Sequence, residues 1–239
     1  MIVLLMALTF AQASRCEGSA AQVAAASERA AAFDLEAAAA RLRVGPSDCA
    51  ETDVPYWYLR GLIAAQEAYR DGGSPQSLEP VKAAIAALSA RTTEAREAEI
   101  ARVVLEAASA AAQSERDVMA LLLDHALHLE GEQRSAGLPG APIITAYEVA
   151  GDLWLQVHRF EDARMAYARA AREIGPTKRI FLGLARAASR LGETTAACEE
   201  YRRLVAGWRG AENEPPEIAE AHTFLRQPAC LGPVPAPIR

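Results

Sequence analysis

Two histidines, His125 and His128, lie three residues apart in DHALHLEGE, with Asp124 and Glu130 close by. Residues three apart share a helix face, and imidazoles beside carboxylates are the raw material of a metal site. The set is incomplete. The H-E-x-x-H spacing is absent and no Cys is near, so these residues read as a partly exposed helix face, and no metal is expected. A metal-dependent hydrolase using His125 and His128 is the weakest of the readings the residues allow. No G-x-S-x-G elbow, G-x-G-x-x-G turn or G-x-x-x-x-G-K-S/T loop occurs. His222 stands beside Thr223 with no catalytic partner in view. Carboxylates fall in helical charge patterns such as Glu161, Asp162 and Arg164, the mark of a solvated face. With no nucleophile and base in reach of each other, neither an enzyme nor a cofactor is expected.

The four cysteines are the other reactive groups. Cys16, Cys49, Cys198 and Cys230 form no C-x-x-C pair, which disfavours zinc and thioredoxin-like chemistry. Of three possible pairings, Cys16–Cys49 with Cys198–Cys230 is preferred, because each bridge ties down one end of the chain. Each closes a loop of about thirty residues, contributing about 3–4 kcal/mol on the chain-entropy estimate. Disulfides require an oxidising compartment. The apolar run IVLLMALTF, followed by Ala11-Gln12-Ala13, has the form of a secretory signal cleaved after Ala13. It is too short to span a bilayer, which takes about 20 apolar residues. A periplasmic or secreted location is the expectation, with no transmembrane segment beyond the signal.

Composition limits the partners. The 239 residues are 51% hydrophobic with a net charge of −6, so the chain is globular and has no basic stripe for nucleic acid or anionic lipid. Alanine dominates in runs such as LEAAAARL and VKAAIAAL, while β-branched runs are nearly absent. Both features favour helix and leave little basis for a sheet.

Helical periodicity predicts elements over 19–44 (one long helix or a broken pair), 54–70, 78–90, 93–113 and 115–130, the last with Ser114 as N-cap. A Gly- and Pro-containing loop, 131–142, follows. Further helices are predicted near 143–157, 160–174, 177–191 and 194–206, and Pro215-Pro216 opens a last one to about Leu225. The proline-rich tail, 227–239, should run extended. Antiparallel helix pairs joined by short turns are the pattern of an all-α solenoid.

One segment is written twice. Tyr147, Ala150, Gly151, Trp154, Phe160, Ala163, Tyr167 and Ala170, with Pro176 after them, are followed by Phe181, Leu184, Ala185, Ala188, Gly192, Ala197, Tyr201 and Leu204. Ala163 to Ala197 and Tyr167 to Tyr201 are both steps of 34. This pattern resembles the tetratricopeptide repeat, whose 34-residue unit runs W-x2-L-G-x2-Y, A-x3-F, P. In that pattern Gly151 and Ala163 must be small because the two helices touch there, and the aromatics fill the spaces between helices. Ile218, Ala221 and Phe224 give the last helix the apolar face of a terminal cap. Trp57-Tyr58 with Gly61, Ala64, Ala65, Ala83 and Ala87 looks like a degraded upstream copy.

The resemblance implies a domain order: signal 1–13, divergent hairpins 14–130, loop 131–142, two repeats with a capping helix 143–226, and tail 227–239. It also implies a non-catalytic scaffold whose first helices line a groove for a protein or peptide partner. Mapped by register, that groove takes Glu148, Asp152 and Gln156 from one repeat, and Arg179, Arg186 and Arg190 from the next. The three arginines suit a peptide carboxylate. The competing expectation is that Arg186 and Arg190 pair internally with Glu148 and Asp152. Self-association through an unfinished end of the array is the alternative function.

Overall fold

The structure is a computed structural model that describes residues 19–42, 50–92, 95–138, 140–208 and 214–231. Its regular structure is helical, with no strand among the described residues. The helices are α1 (Ser19–Ala31), α2 (Leu35–Leu42), α3 (Ala50–Arg70), α4 (Glu79–Ser89), α5 (Arg96–Ala112), α6 (Arg116–Ser135), α7 (Ala146–Gln156), α8 (Phe160–Ile174), α9 (Lys178–Arg190), α10 (Thr194–Ala206) and α11 (Pro216–Leu225). A 3-10 turn, Pro228–Cys230, follows. The chain divides into two compact units, one ending at Ala146 and one beginning at Tyr147. The expected signal and the Cys16–Cys49 pair lie outside the described residues.

In the first unit the 19–44 segment is a broken pair. Phe33 takes a left-handed conformation (φ 64°), and Asp34 Oδ1 then accepts the Ala37 N–H at 2.9 Å, capping α2. α5 is the centre of this unit and packs against α3, α4 and α6. Its alanines are the reason it can: Ala98, Ala101, Ala107, Ala108 and Ala111 are all buried, interleaved with Ile100, Val104 and Leu105. Small side chains let three neighbours approach a single helix. Gly61 on α3 is part of the same fit, since a Cβ there would lie 2.2 Å from Leu105 Cδ1 and 3.1 Å from Ala84 Cβ.

Two local expectations are corrected here. Ser114 is not the N-cap of α6; it occupies the left-handed turn itself (φ 63°), and Glu115 stands at the cap without a side-chain bond. α6 also runs through Gly131 to Ser135, into the segment expected to be loop. Gly131 costs only about 1 kcal/mol inside a helix. Gln133 is buried beyond it, so packing extends the helix past the glycine.

In the second unit consecutive helices are neighbours: α9 packs on α8, α10 on α9, and α11 on α10. α7 meets α8 at Gly151, where a Cβ would lie 2.5 Å from the Tyr167 ring. The turn after α7 uses His158 (φ 60°) and the turn after α9 uses Gly192 (φ 79°), 34 residues on. Ala163, Tyr167, Ala170, Ala197, Tyr201 and Leu204 are all buried, as are Tyr147 and Gly151. Trp154, Phe160 and Phe181 are half-buried. Beyond α11, the 3-10 turn is held to α10 by the Cys198–Cys230 disulfide (Cα–Cα 5.5 Å) and by Arg202, which donates to the Cys230 carbonyl.

Candidate binding face

α7, α9 and α11 are alternate helices along the second unit, and their charges alternate. α7 carries Glu148 and Asp152 with no basic residue. α9 carries Lys178, Arg179, Arg186 and Arg190 with no acidic residue. α11 carries Glu217 and Glu220. Asp152, Arg186 and Glu220 stand 34 residues apart, one on each of these three helices.

Side-chain contacts join these helices through the two stride-related tyrosines. Tyr167 Oη donates to Asp152 Oδ1 at 2.5 Å, while Arg179 Nε donates to Asp152 Oδ2 at 2.8 Å. Tyr201 Oη donates to Glu220 Oε1 at 2.6 Å, and Arg186 grips the same carboxylate with Nε to Oε1 at 3.0 Å and Nη2 to Oε2 at 2.6 Å. Each group is a tyrosine, a carboxylate and an arginine drawn from three helices. The connections are mirrored. Tyr167 reaches back to the helix before it, with the arginine supplied by the helix after. Tyr201 reaches forward, with the arginine supplied from behind.

Electrostatics follow from this geometry. Burial pushes the Tyr167 hydroxyl well above its ordinary pKa, and the Asp152 charge adds to the effect. Burial and the hydrogen bond to Glu220 do the same at Tyr201. At Glu220 burial acts upward, but the hydrogen bonds from Arg186 and Tyr201 outweigh it and hold the carboxyl below its usual value. Burial opposes the charge on Arg179 and Arg186, and the facing carboxylates more than offset it.

The groove residues expected from the sequence therefore divide. Asp152 and Arg179 are brought together. Glu148 is buried and accepts from Thr177 Oγ1 at 2.7 Å, while Thr177 Oγ1 itself accepts the Ile180 N–H at 3.2 Å and caps α9. The expected pairing of Arg186 and Arg190 with Glu148 and Asp152 does not form. Arg186 lies seven residues, about two helical turns, beyond Arg179 along α9, and it faces α11 instead. Arg190 is exposed and sits over the Phe160 ring, 5.9 Å from its centroid. Gln156 is half-buried at the end of α7. Glu220 was missed by sequence reasoning, although its spacing of 34 from Arg186 was there to be found.

His125 and His128 are exposed on α6, with His128 Nε2 3.4 Å from Glu132 Oε1. Among the described residues no three His, Cys, Asp or Glu side chains gather as a metal would require. Glu130 is turned away from the histidines. It is fully buried, and its Oε2 accepts the Ala146 N–H at 2.6 Å where α7 begins. Gly140 makes room for that carboxylate, since a Cβ there would lie 2.5 Å from Glu130 Oε1. Among the described residues no helix is long and apolar enough to cross a membrane.

The chain matches no protein-family model, no characterised protein and no solved structure.

Proposed function

We propose that this protein is a tetratricopeptide-like scaffold of the cell envelope that holds a protein or extended peptide segment across α7, α9 and α11 and performs no chemistry of its own. The observation that carries the reading is the stride of 34 shared by Asp152, Arg186 and Glu220 on first helices, by Tyr167 and Tyr201 on second helices, and by the turn residues His158 and Gly192. Equal spacing of these positions supports a repeat array, which presents side chains at regular intervals. The tyrosine–carboxylate–arginine groups brace first helices against their neighbours, and a braced face binds with less ordering cost. The Cys198–Cys230 bridge agrees with an oxidising compartment.

A photo-crosslinking amino acid placed at Gln156 on α7, and in a second variant at Glu199 on the exposed side of α10, tests the reading in cells making the protein. The expected result is a discrete adduct from Gln156 and none from Glu199. Equal labelling at both positions, or no adduct at either, would remove the support for a partner on this face.

A further inference from the structure

Arg179, Arg186 and Arg190 lie along one side of α9, because steps of seven and four residues return close to the same helical angle. The chain itself answers the first two charges, with Asp152 on Arg179 and Glu220 on Arg186. The third is different. The positions equivalent to Arg190 on the flanking first helices are 34 residues away on either side, and they hold Gln156 and Phe224 rather than carboxylates. The nearest acidic residue along the chain, Glu193, faces Arg164 at 3.7 Å. Glu148 is engaged at the opposite end of α9, by Thr177. Arg190 attracts Glu220 at longer range without an ion pair to it. Its guanidinium instead rests over Phe160, whose ring also takes His158 edge-on at 5.8 Å. Phe224 on α11 packs against Tyr201 at 4.8 Å and is half-buried.

We infer that Arg190 is the anchor for a single carboxylate of an extended peptide lying across α7, α9 and α11, with Gln156 and Phe224 in register on either side of it. The inference rests on the scaffold reading above and specifies the chemistry of its ligand. A guanidinium seated on an aromatic ring keeps its donor edges free, and a carboxylate accepts from that edge. Arg179 and Arg186 differ in that each already faces a carboxylate of the chain itself. The site therefore calls for one acidic group, with an apolar residue beside it towards Phe224.

Random twelve-residue peptides displayed on phage, selected on the intact oxidised protein, test this. The expected outcome is enrichment of Asp or Glu at one position. A synthetic peptide of the selected sequence should bind Arg190→Gln about tenfold more weakly or worse, and Arg190→Lys in between. Replacing the enriched acidic residue by its amide should cost as much on the natural protein and little more on Arg190→Gln. Arg190 is exposed, so unchanged melting of the variants separates loss of contact from loss of fold. Peptides that are enriched but bind Arg190→Gln equally well would overturn the anchor and leave the scaffold reading standing. Selection that enriches no peptide would overturn both.

Discussion

The ring of Tyr167 fills the space that a side chain at Gly183 would need: a Cβ there would stand 2.1 Å from Tyr167 Cζ. Gly151 touches the same ring from the other side, so one tyrosine of α8 is held between glycines of α7 and α9. The ring is fully buried between helices and has little room to yield. Gly183→Ala is therefore expected to destabilise the second unit by about 1–3 kcal/mol, the usual range for overpacking. The gain in helix propensity from Gly to Ala, about 1 kcal/mol, acts in the opposite direction. Urea unfolding followed by circular dichroism gives the sign; a more stable variant would show that the close approach is not real.

The two tyrosine hydroxyls are expected to behave alike. Tyr167→Phe and Tyr201→Phe each remove one hydrogen bond to a charged carboxylate and leave the arginine contact in place. A loss of about 1.5–3 kcal/mol is expected for each. If the mirrored groups are independent, the double variant loses the sum, which a double-mutant cycle measures.

Glu220 makes the cap sensitive to acid. Its folded-state pKa lies below the ordinary value of 4.5, despite burial, because Arg186 and Tyr201 bond to the ionised form and the Arg186 and Arg190 charges favour it. A depressed carboxyl pKa contributes stability that is complete above the unfolded value. That contribution is lost as pH falls through the folded one. Natural protein should therefore exceed Glu220→Gln in stability at pH 7, and the margin should shrink below about pH 4.5. Melting temperatures of both forms across pH 3 to 7 check this; parallel curves would count against it.

The disulfide should matter most to the end of the chain. Cys198 and Cys230 are separated by 32 residues and both are buried. Replacing both by Ala is expected to cost about 3–4 kcal/mol through the freedom regained by the unfolded loop. Because the bridge is buried, a dithiol reductant should cleave it slowly in the folded protein and quickly in denaturant. Alkylation of released thiols followed by mass measurement gives both rates.

Much of this architecture was legible one residue at a time. The helices of the second unit fall within about three residues of their expected ends, because amphipathic period, alanine content and Gly or Pro punctuation are local signals. Gly192 is recognisable as a turn for the same reason, and His158 from its place at the turn position of the repeat pattern. Gly131 reads locally as the end of α6, whereas the burial of Gln133 that carries the helix past it depends on residues elsewhere in the chain. Ser114 looked like a cap by residue type, but the turn needed a left-handed residue at that place. Gly183 carried no signal, since the expected packing glycine of the second copy falls at Ala185.

By itself the sequence determined an all-helical chain whose last third repeats with a stride of 34, because propensity and hydrophobic period act between residues a few positions apart. Only the tertiary structure decided that Asp152 takes Arg179, that Arg186 turns to Glu220, and that Arg190 stays over Phe160. Those choices depend on where along α9 each neighbouring helix makes its closest approach. On α9 about two turns, roughly 10 Å, separate Arg179, which meets α7, from Arg186, which meets α11. The spacing of 34 relates Arg186 equally to Asp152 and to Glu220 and does not choose between them.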